Sequence, residues 1–361
     1  MASRMTAIPK LRSRRDGAAV PLDEFDKRLL NDMQGAFPIV ARPYAAVAQA
    51  LQIDEATVLR RVDELIKDRI IRQVTPIFDT RAFGYGSMLV AAKVDPEHPW
   101  GPAKIINGHP GVSHNYLRNH EFNMWFTLAV EEDSELGLQG TLDMLAELTG
   151  AESIRQLPTL QLFKIRMDLE LVGDTDALAK SGSEQEAVEL SKQDYDDLDV
   201  AVVRATQGDF PVVSEPYVDA AREVGLTVDQ LLEHMNGMQE RGLLRRVAAI
   251  LFHRRAGFSA NGMGVWKVPE DEIMETGRRM ASFRGISHCY QRPTYEDWPY
   301  SVFTMAHGRS KEECDAILDS IAEECGMGPE DRATLYSSTE YKKIRLQYFT
   351  DDYRRWEEAH S

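Results

Sequence analysis

Apolar residues in the first hundred positions recur first at helical and then at alternating spacing. Residues 22–34 carry Leu22, Phe25, Leu29, Leu30 and Met33 on one helical face. PYAAVAQALQI (43–53) predicts a second helix. Asp54 stands as an N-cap before EATVLRRVDELIKDR (55–69), whose Val58, Leu59, Val62, Leu65 and Ile66 share a face. IIRQVTPIFD (70–79) reads as a hairpin, so the first 80 residues predict three helices and a wing, a winged helix-turn-helix. Beyond it the order is strand GSMLVAAKV, helix PWGPAKIINGH, strands VSHNYLR and NMWFTLAV, helix ELGLQGTLDMLAELT, strand PTLQLFKIRMDLE. That β-α-β-β-α-β succession is the ferredoxin-like pattern.

The whole pattern is then written again. LDEFDKRLLNDMQGAFPIVARPY (22–44) aligns with YDDLDVAVVRATQGDFPVVSEPY (195–217), at a spacing of 173 (199 less 26, for Asp199 over Asp26). His114 falls over His288 at 174 (288 less 114), and KIR at 164–166 over KIR at 343–345. The second half repeats the strands and helices as GMGVWKV, EIMETGRRMASF, ISHCYQR, YSVFTMAHG, KEECDAILDSIAEE and YKKIRLQYF. DTDALAKSGSEQEAVELSKQD between the halves has linker composition. The expected organisation is a flexible basic tail (1–20), winged helix-turn-helix (21–80), ferredoxin-like domain (81–173), linker (174–193), second winged helix-turn-helix (194–253) and second ferredoxin-like domain (254–361). The fold class is α+β, a tandem duplication folding as a pseudo-symmetric dimer within one chain. A homodimer of such chains is a further expectation.

Composition narrows the partners. The 43% hydrophobic and 28% charged content is that of a soluble globular protein, and no run is long enough to span a membrane. The basic N-terminus has no apolar stretch after it and makes a poor secretory signal. Cys289, Cys314 and Cys325 form no CxxC pair, which suits a reducing, cytoplasmic location. A formal charge of −16 counts against nucleic acid as the main partner. The second recognition-type helix, TVDQLLEHMNGMQERG, carries Asp229, Glu233 and Glu240 against Arg241, and the first is balanced. Neither is built to enter a groove.

The candidate chemistry lies in VSHNYLR and ISHCYQR. Alternation along a strand puts His114, Tyr116 and Arg118 on one face, with Val112 leading, and His288, Tyr290 and Arg292 on the matching face. A solvated polar face is the plain alternative, made less attractive because all three residue types return in the second copy. Such a row offers a titratable nitrogen, a phenol and a fixed cation.

GVSHNYLRNHEFNMWFTL, HRRAGFSANGMGVW, ISHCYQRP and DWPYSVFTMAHG resemble the siroheme decarboxylase family, here with its two Lrp/AsnC-like subunits fused. The resemblance implies a carboxy-lyase that removes the C12 and C18 acetate carboxyls of siroheme, on a route to haem or d-type haem. It implies His114 and His288 as proton donor and ligand of the substrate iron, in either order, with Tyr116 and Tyr290 as supporting donors. Arg118, Arg292, Arg245, Arg246, His253, Arg254, Arg255, Trp298 and His307 would contact the substrate, and Trp125 and Trp266 could serve as further walls or as core. No separate cofactor is implied. Siroheme, its products and haem are the expected ligands. The general fold alone would favour an Lrp/AsnC-like transcription regulator sensing a small molecule, with the arginines on DNA phosphates, whereas the acidity and the recognition-type helices favour the enzyme.

Overall fold

The computed structural model describes residues 22–35, 37–165, 192–252 and 260–360. The N-terminal tail, most of the linker, and His253, Arg254 and Arg255 lie outside the described residues.

Each half opens with three helices and a strand: α1 (Glu24–Gly35), α2 (Pro43–Leu51), α3 (Glu55–Lys67) and β1 (Ile71–Phe78), then α6 (Asp197–Thr206), α7 (Val218–Glu223), α8 (Val228–Glu240) and β7 (Leu244–Leu251). Asp54 caps α3 as expected, accepting from the Thr57 amide at 2.8 Å. The segment read as a hairpin is a single strand. β1 runs unbroken through Pro76 and pairs antiparallel with β7 of the other half, each covering the other's open edge. One core consequently runs through both winged domains, from Leu29, Val58 and Val74 to Val203, Met235 and Val247.

The ferredoxin-like halves comprise β2 (Gly86–Lys93), α4 (Trp100–Gly108), β3 (Val112–Arg118), β4 (Met124–Val130), α5 (Gly137–Thr149), β5 (Ser153–Leu157) and β6 (Gln161–Ile165), then β8 (Ala260–Trp266), α9 (Ile273–Ala281), β9 (Ile286–Gln291), β10 (Val302–Gly308), α10 (Lys311–Cys325) and β11 (Arg332–Lys343). They form one nine-stranded sheet in the order β5-β2-β4-β3-β11-β8-β10-β9-β6. The final strand of each half serves both halves. β11 pairs with β8 through Arg332–Tyr336 and with β3 through Ser337–Lys343. In the first half Pro158, which lacks an N–H, follows the end of β5. The chain then resumes as β6 against β9. Phe163 of β6 lies where a side chain on Gly277 of α9 would come within 2.5 Å of its ring, so that glycine admits the crossing strand.

Helices α4 and α5 cover the outer face of one half-sheet, α9 and α10 that of the other. The inner faces pack on each other through Ala91, Phe122, Trp125 and Leu157 from one side and Val265, Trp298, Phe303 and Leu335 from the other. A last helix, α11 (Asp352–His360), crosses back so that Trp356 joins the core of α4 and α5. Among the described residues, no helix is long and apolar enough to cross a membrane.

Candidate active site

Gly111 sets the entry into β3: any side chain there would meet the Ala129 carbonyl oxygen at 1.8 Å. Val112 then pairs with Leu128, but the next recorded pair is Asn115 with Phe126, so Ser113 and His114 together span one residue of β4. This bulge turns both Val112 and Asn115 to the helices. Val112 packs with Ile106 and Leu142, and Asn115, fully buried, donates to Asn107 Oδ1 at 3.0 Å. The expectation that Val112 leads the His-Tyr-Arg row is therefore corrected: it stands on the opposite face. The second half bulges at the same place, Ile286 pairing with Ala306 and His288 with Met305. Ile286 and Cys289 pack among the helix-facing residues.

His114, Tyr116 and Arg118, and likewise His288, Tyr290 and Arg292, turn inward. The histidines and tyrosines are half-buried and the arginines buried. Ring centroids are 6.2 Å apart in the His114–Tyr116 pair and 5.9 Å in His288–Tyr290, with nearly the same tilt. Ser113 Oγ lies 2.9 Å from His114 Nδ1 and 2.8 Å from Thr127 Oγ1. Ser287 Oγ lies 2.6 Å from His288 Nδ1 and 2.7 Å from His307 Nε2, and donates to the Met305 carbonyl at 3.4 Å. These serines were missed in the sequence, although the repeated Ser-His dipeptide displayed them.

The backbone fixes which residues correspond. Ala129 N donates to Gly111 O, and His307 N to Gly285 O, so His307 stands where the first half has Ala129. Met305 accordingly stands where the first half has Thr127. Opposite His114 on the crossing strand is Lys343; opposite His288 is Ile165. The lysines that do correspond are Lys342 and Lys164, whose Nζ atoms cap the ends of the preceding helical segments at Asn107 O and Phe283 O, each at 2.7 Å. The KIR alignment is thus displaced by one residue.

Burial first, with the Lys343 charge as a smaller contribution, pulls His114 and His307 down to about 4. One lysine therefore acts on a histidine from each half, and the two rows border common ground. Arg72, whose Nη2 donates to the Lys343 carbonyl at 2.7 Å, adds to the depression of His114. Burial raises the Tyr290 phenol, against the opposing pull of Arg292, Arg245 and Arg81. Arg72, Arg81 and Lys343 were not singled out as site residues in the sequence; Lys343 appeared only as part of the repeated KIR.

Arg118 and Arg292, expected at a substrate rim, stand at the inner end of the rows. Arg118 Nη1 donates to the Leu335 carbonyl at 2.9 Å and Arg292 Nη1 to that of Leu157, so each ties its half to the other. Their guanidiniums lie over Tyr116 and Trp125 and over Tyr290 and Phe303. Burial lowers both to about 10, which leaves them cationic at neutral pH. Neither Nε has a hydrogen-bond partner among the described residues. Arg245 pairs with the buried Asp79 carboxylate at 2.7 Å, and Arg246, opposite Ile77, is half-buried. Trp298 and Trp125 form the centre of the inter-sheet core, 5.3 Å apart. Trp266 instead faces the helices, its Nε1 donating to Thr304 Oγ1 at 2.9 Å, so it is no wall of the inward face.

The cations of α3 are already committed: Arg60 to Glu64, Lys67 to Asp63, and Arg61 to the buried Asp26 at 2.6 Å. Asp196, Asp199 and His234 could together hold a metal ion, but Asp199 is occupied by Arg241 at 2.6 Å and His234 at 2.8 Å. Two surface clefts, of about 390 Å³ beside Arg155 and Asp297 and about 360 Å³ beside Leu148 and Trp356, lie away from both rows.

Fold and rows together define a duplicated winged-helix and ferredoxin-like scaffold carrying two inward-facing His-Tyr-Arg rows. Two family profiles match it twice each: an AsnC-like ligand binding domain at residues 82–164 and 255–342, and a siroheme decarboxylase NirDL-like HTH domain at 26–72 and 199–245. The siroheme decarboxylase of Hydrogenobacter thermophilus is 40% identical over 92% of this chain and 97% of its own. The alpha and beta subunits of the Desulfovibrio desulfuricans siroheme decarboxylase, 39% and 37% identical, match 44% and 42% of this chain and 91% and 94% of their own. The crystal structure of the siroheme decarboxylase NirDL, also solved with an iron-uroporphyrin III analogue, superposes with a TM-score of 0.73 at 35% identity, covering 94% of this chain and 98% of that one. The chain belongs to the siroheme decarboxylase family.

Proposed function

We propose that this chain is a carboxy-lyase that removes the C12 and C18 acetate carboxyls of siroheme without oxidation, giving 12,18-didecarboxysiroheme for haem or d-type haem synthesis. The observation that carries this reading is the pair of inward-facing His-Tyr-Arg rows, with Lys343 opposite His114, in a chain that matches siroheme decarboxylases along nearly its whole length.

A pyrrole acetate cannot simply shed carbon dioxide, because the carbanion left behind has no stabilisation. Protonating the adjacent ring carbon makes the macrocycle its own electron sink, so the route requires no pyridoxal or thiamine. The protein must supply a proton, hold the remaining carboxylates and leave the departing one poorly solvated. His114 and His288 divide the roles of proton donor and ligand of the substrate's iron; neutral imidazole suits the second. Tyr116 and Tyr290 are supporting donors. Arg72, Arg81, Arg245 and Lys343 are the rim cations, with Arg246, His253, Arg254 and Arg255 as further candidates, and Arg118 and Arg292 hold the tyrosines from behind. His307 stands behind Ser287 and His288, and Trp298, fully buried in the inter-sheet core, backs the rows without reaching the substrate. One fused chain supplies both family subunits, and a dimer of chains and haem as a ligand remain part of this reading.

The test is to add iron-containing siroheme anaerobically and follow its mass. Two successive losses of carbon dioxide are expected. Tight binding without mass change, together with a salt-dependent shift of promoter DNA, would instead identify a regulator.

A further inference from the structure

The two rows are alike in what they present and unlike in what stands behind. Behind His114 the hydroxyl chain runs from Ser113 to Thr127, whose Oγ1 accepts from the His114 amide at 3.1 Å. An amide is no proton source at neutral pH, so that chain ends there. Behind His288 the serine hydroxyl touches a second imidazole, His307, for which the first half has Ala129. His307 in turn is paired across the strand with the exposed Asn261, at the end of β10.

We propose that His288 is the proton donor of the reaction and that Ser287 and His307 form a wire serving it, while the His114 row binds. This rests on the decarboxylase reading. A serine hydroxyl has one proton to give and can accept two. In one state His307 Nε2–H donates to Ser287 Oγ, whose proton goes to His288 Nδ1, leaving a proton on His288 Nε2. When Nε2 gives that proton to the ring carbon, Nδ1 takes the serine proton, the serine takes the one on His307 Nε2, and His307 gains one from water at Nδ1. The bond from the acetate methylene to its carboxyl then breaks, its electron pair forming an exocyclic double bond to the protonated ring. The methylene carbon takes up a proton from solvent, the ring-carbon proton returns to Nε2, and the wire runs back. The net change is one proton consumed and one carbon dioxide released, R–CH2–COO⁻ + H⁺ → R–CH3 + CO2. His288 thus acts as acid and then base at one nitrogen while both imidazoles stay neutral. Burial makes that neutrality valuable, since His307 protonates only at about 4. Ser287 and His307 touch no substrate in this scheme and are positioning residues.

The full chain is assayed with iron-containing siroheme under anaerobic conditions. Ser287→Ala and His307→Ala are each expected to lower kcat about 100-fold, the lower end of what general acid catalysis supplies, with KM changed less than about three-fold. Ser287→Thr, which retains the hydroxyl, is expected to recover most of the rate. Wild-type turnover in mixed light and heavy water should give a curved proton inventory, which His307→Ala turns linear. His307→Gln, closer to histidine in size, covers a failure of the alanine variant to fold. Ser113→Ala is expected to raise KM and shift the iron absorption band instead. Unchanged kcat in the Ser287 and His307 variants, or an equal loss of kcat in Ser113→Ala, would overturn the assignment. Failure of the decarboxylase reading looks different: the wild-type protein itself would release no carbon dioxide.

Discussion

The winged domains and the His-Tyr-Arg rows were duplicated together, yet they have fared differently. In the winged domains the halves remain near copies. Phe37 meets Tyr44 edge-on at 5.1 Å and Phe210 meets Tyr217 at 4.9 Å. Asp26 and Asp199 are both buried: Arg61 pairs with the first at 2.6 Å, and at the matching helical position His234 meets the second at 2.8 Å, with Arg241 adding an ion pair at 2.6 Å. Around the rows, by contrast, Thr127 faces Met305, Ala129 faces His307 and Ile165 faces Lys343 as counterparts. The first region has to bury its own apolar surface, a task that is the same in both halves. The second, on the proposed reading, faces a macrocycle whose rim is not two-fold symmetric. Symmetry survives where the protein meets itself and lapses where it meets the substrate.

The largest effect should come from testing the two histidines against each other. His288→Ala is expected to cut decarboxylation by about 10²- to 10⁴-fold with the fold intact by circular dichroism. His114→Ala should chiefly weaken siroheme binding and alter its iron spectrum. Equal losses of kcat would erase the distinction between the rows. The winged domains should behave in the opposite way. Asp26→Ala and Asp199→Ala each strand a guanidinium beside a buried site and should destabilise by about 2 to 3 kcal/mol, below the fully buried range because both arginines are partly exposed. Urea midpoints that differ widely between the two would break the parallel.

Smaller again, Arg118→Met and Arg292→Met each leave a buried carbonyl unpaired and should cost about 1 to 2 kcal/mol. Because each arginine reaches into the other half, a double-mutant cycle should find them nearly additive. A separate effect is on pH dependence. His114 and His307 titrate near 4 when folded against an ordinary 6.5, and His109, buried beside Trp356, near 3. Between those values and 6.5 the unfolded chain binds more protons, so stability should fall as pH drops from 6.5 toward 4. His109→Gln should flatten that slope in urea titrations; an unchanged slope would place the linked protons elsewhere.

Much of this was legible from spacing. Helical periodicity gave the winged helices, alternation gave the inward rows, and the repeat gave the duplication. What spacing could not give was the partner of each strand. β1 with β7, β6 with β9 and β11 with β3 are pairings between halves, fixed by which open edges meet in space. The bulge at Ser113 was equally hidden, since one extra residue leaves the sequence pattern intact while turning Val112 to the other face. Sequence likeness does not give this register: Phe126-Thr127 resembles Phe303-Thr304, yet it is Trp125 that sits opposite Tyr116 as Phe303 sits opposite Tyr290. Arg118 and Arg292 looked like surface cations because their depth depends on the opposing sheet.

The crossing of β11 from β8 to β3 has a consequence for assembly. Split enzymes of this kind must choose between like and unlike pairings of their subunits, and a like pair would carry two wires or none. Here both halves belong to one chain and a single strand is hydrogen-bonded to each of them, so their one-to-one ratio is settled at translation.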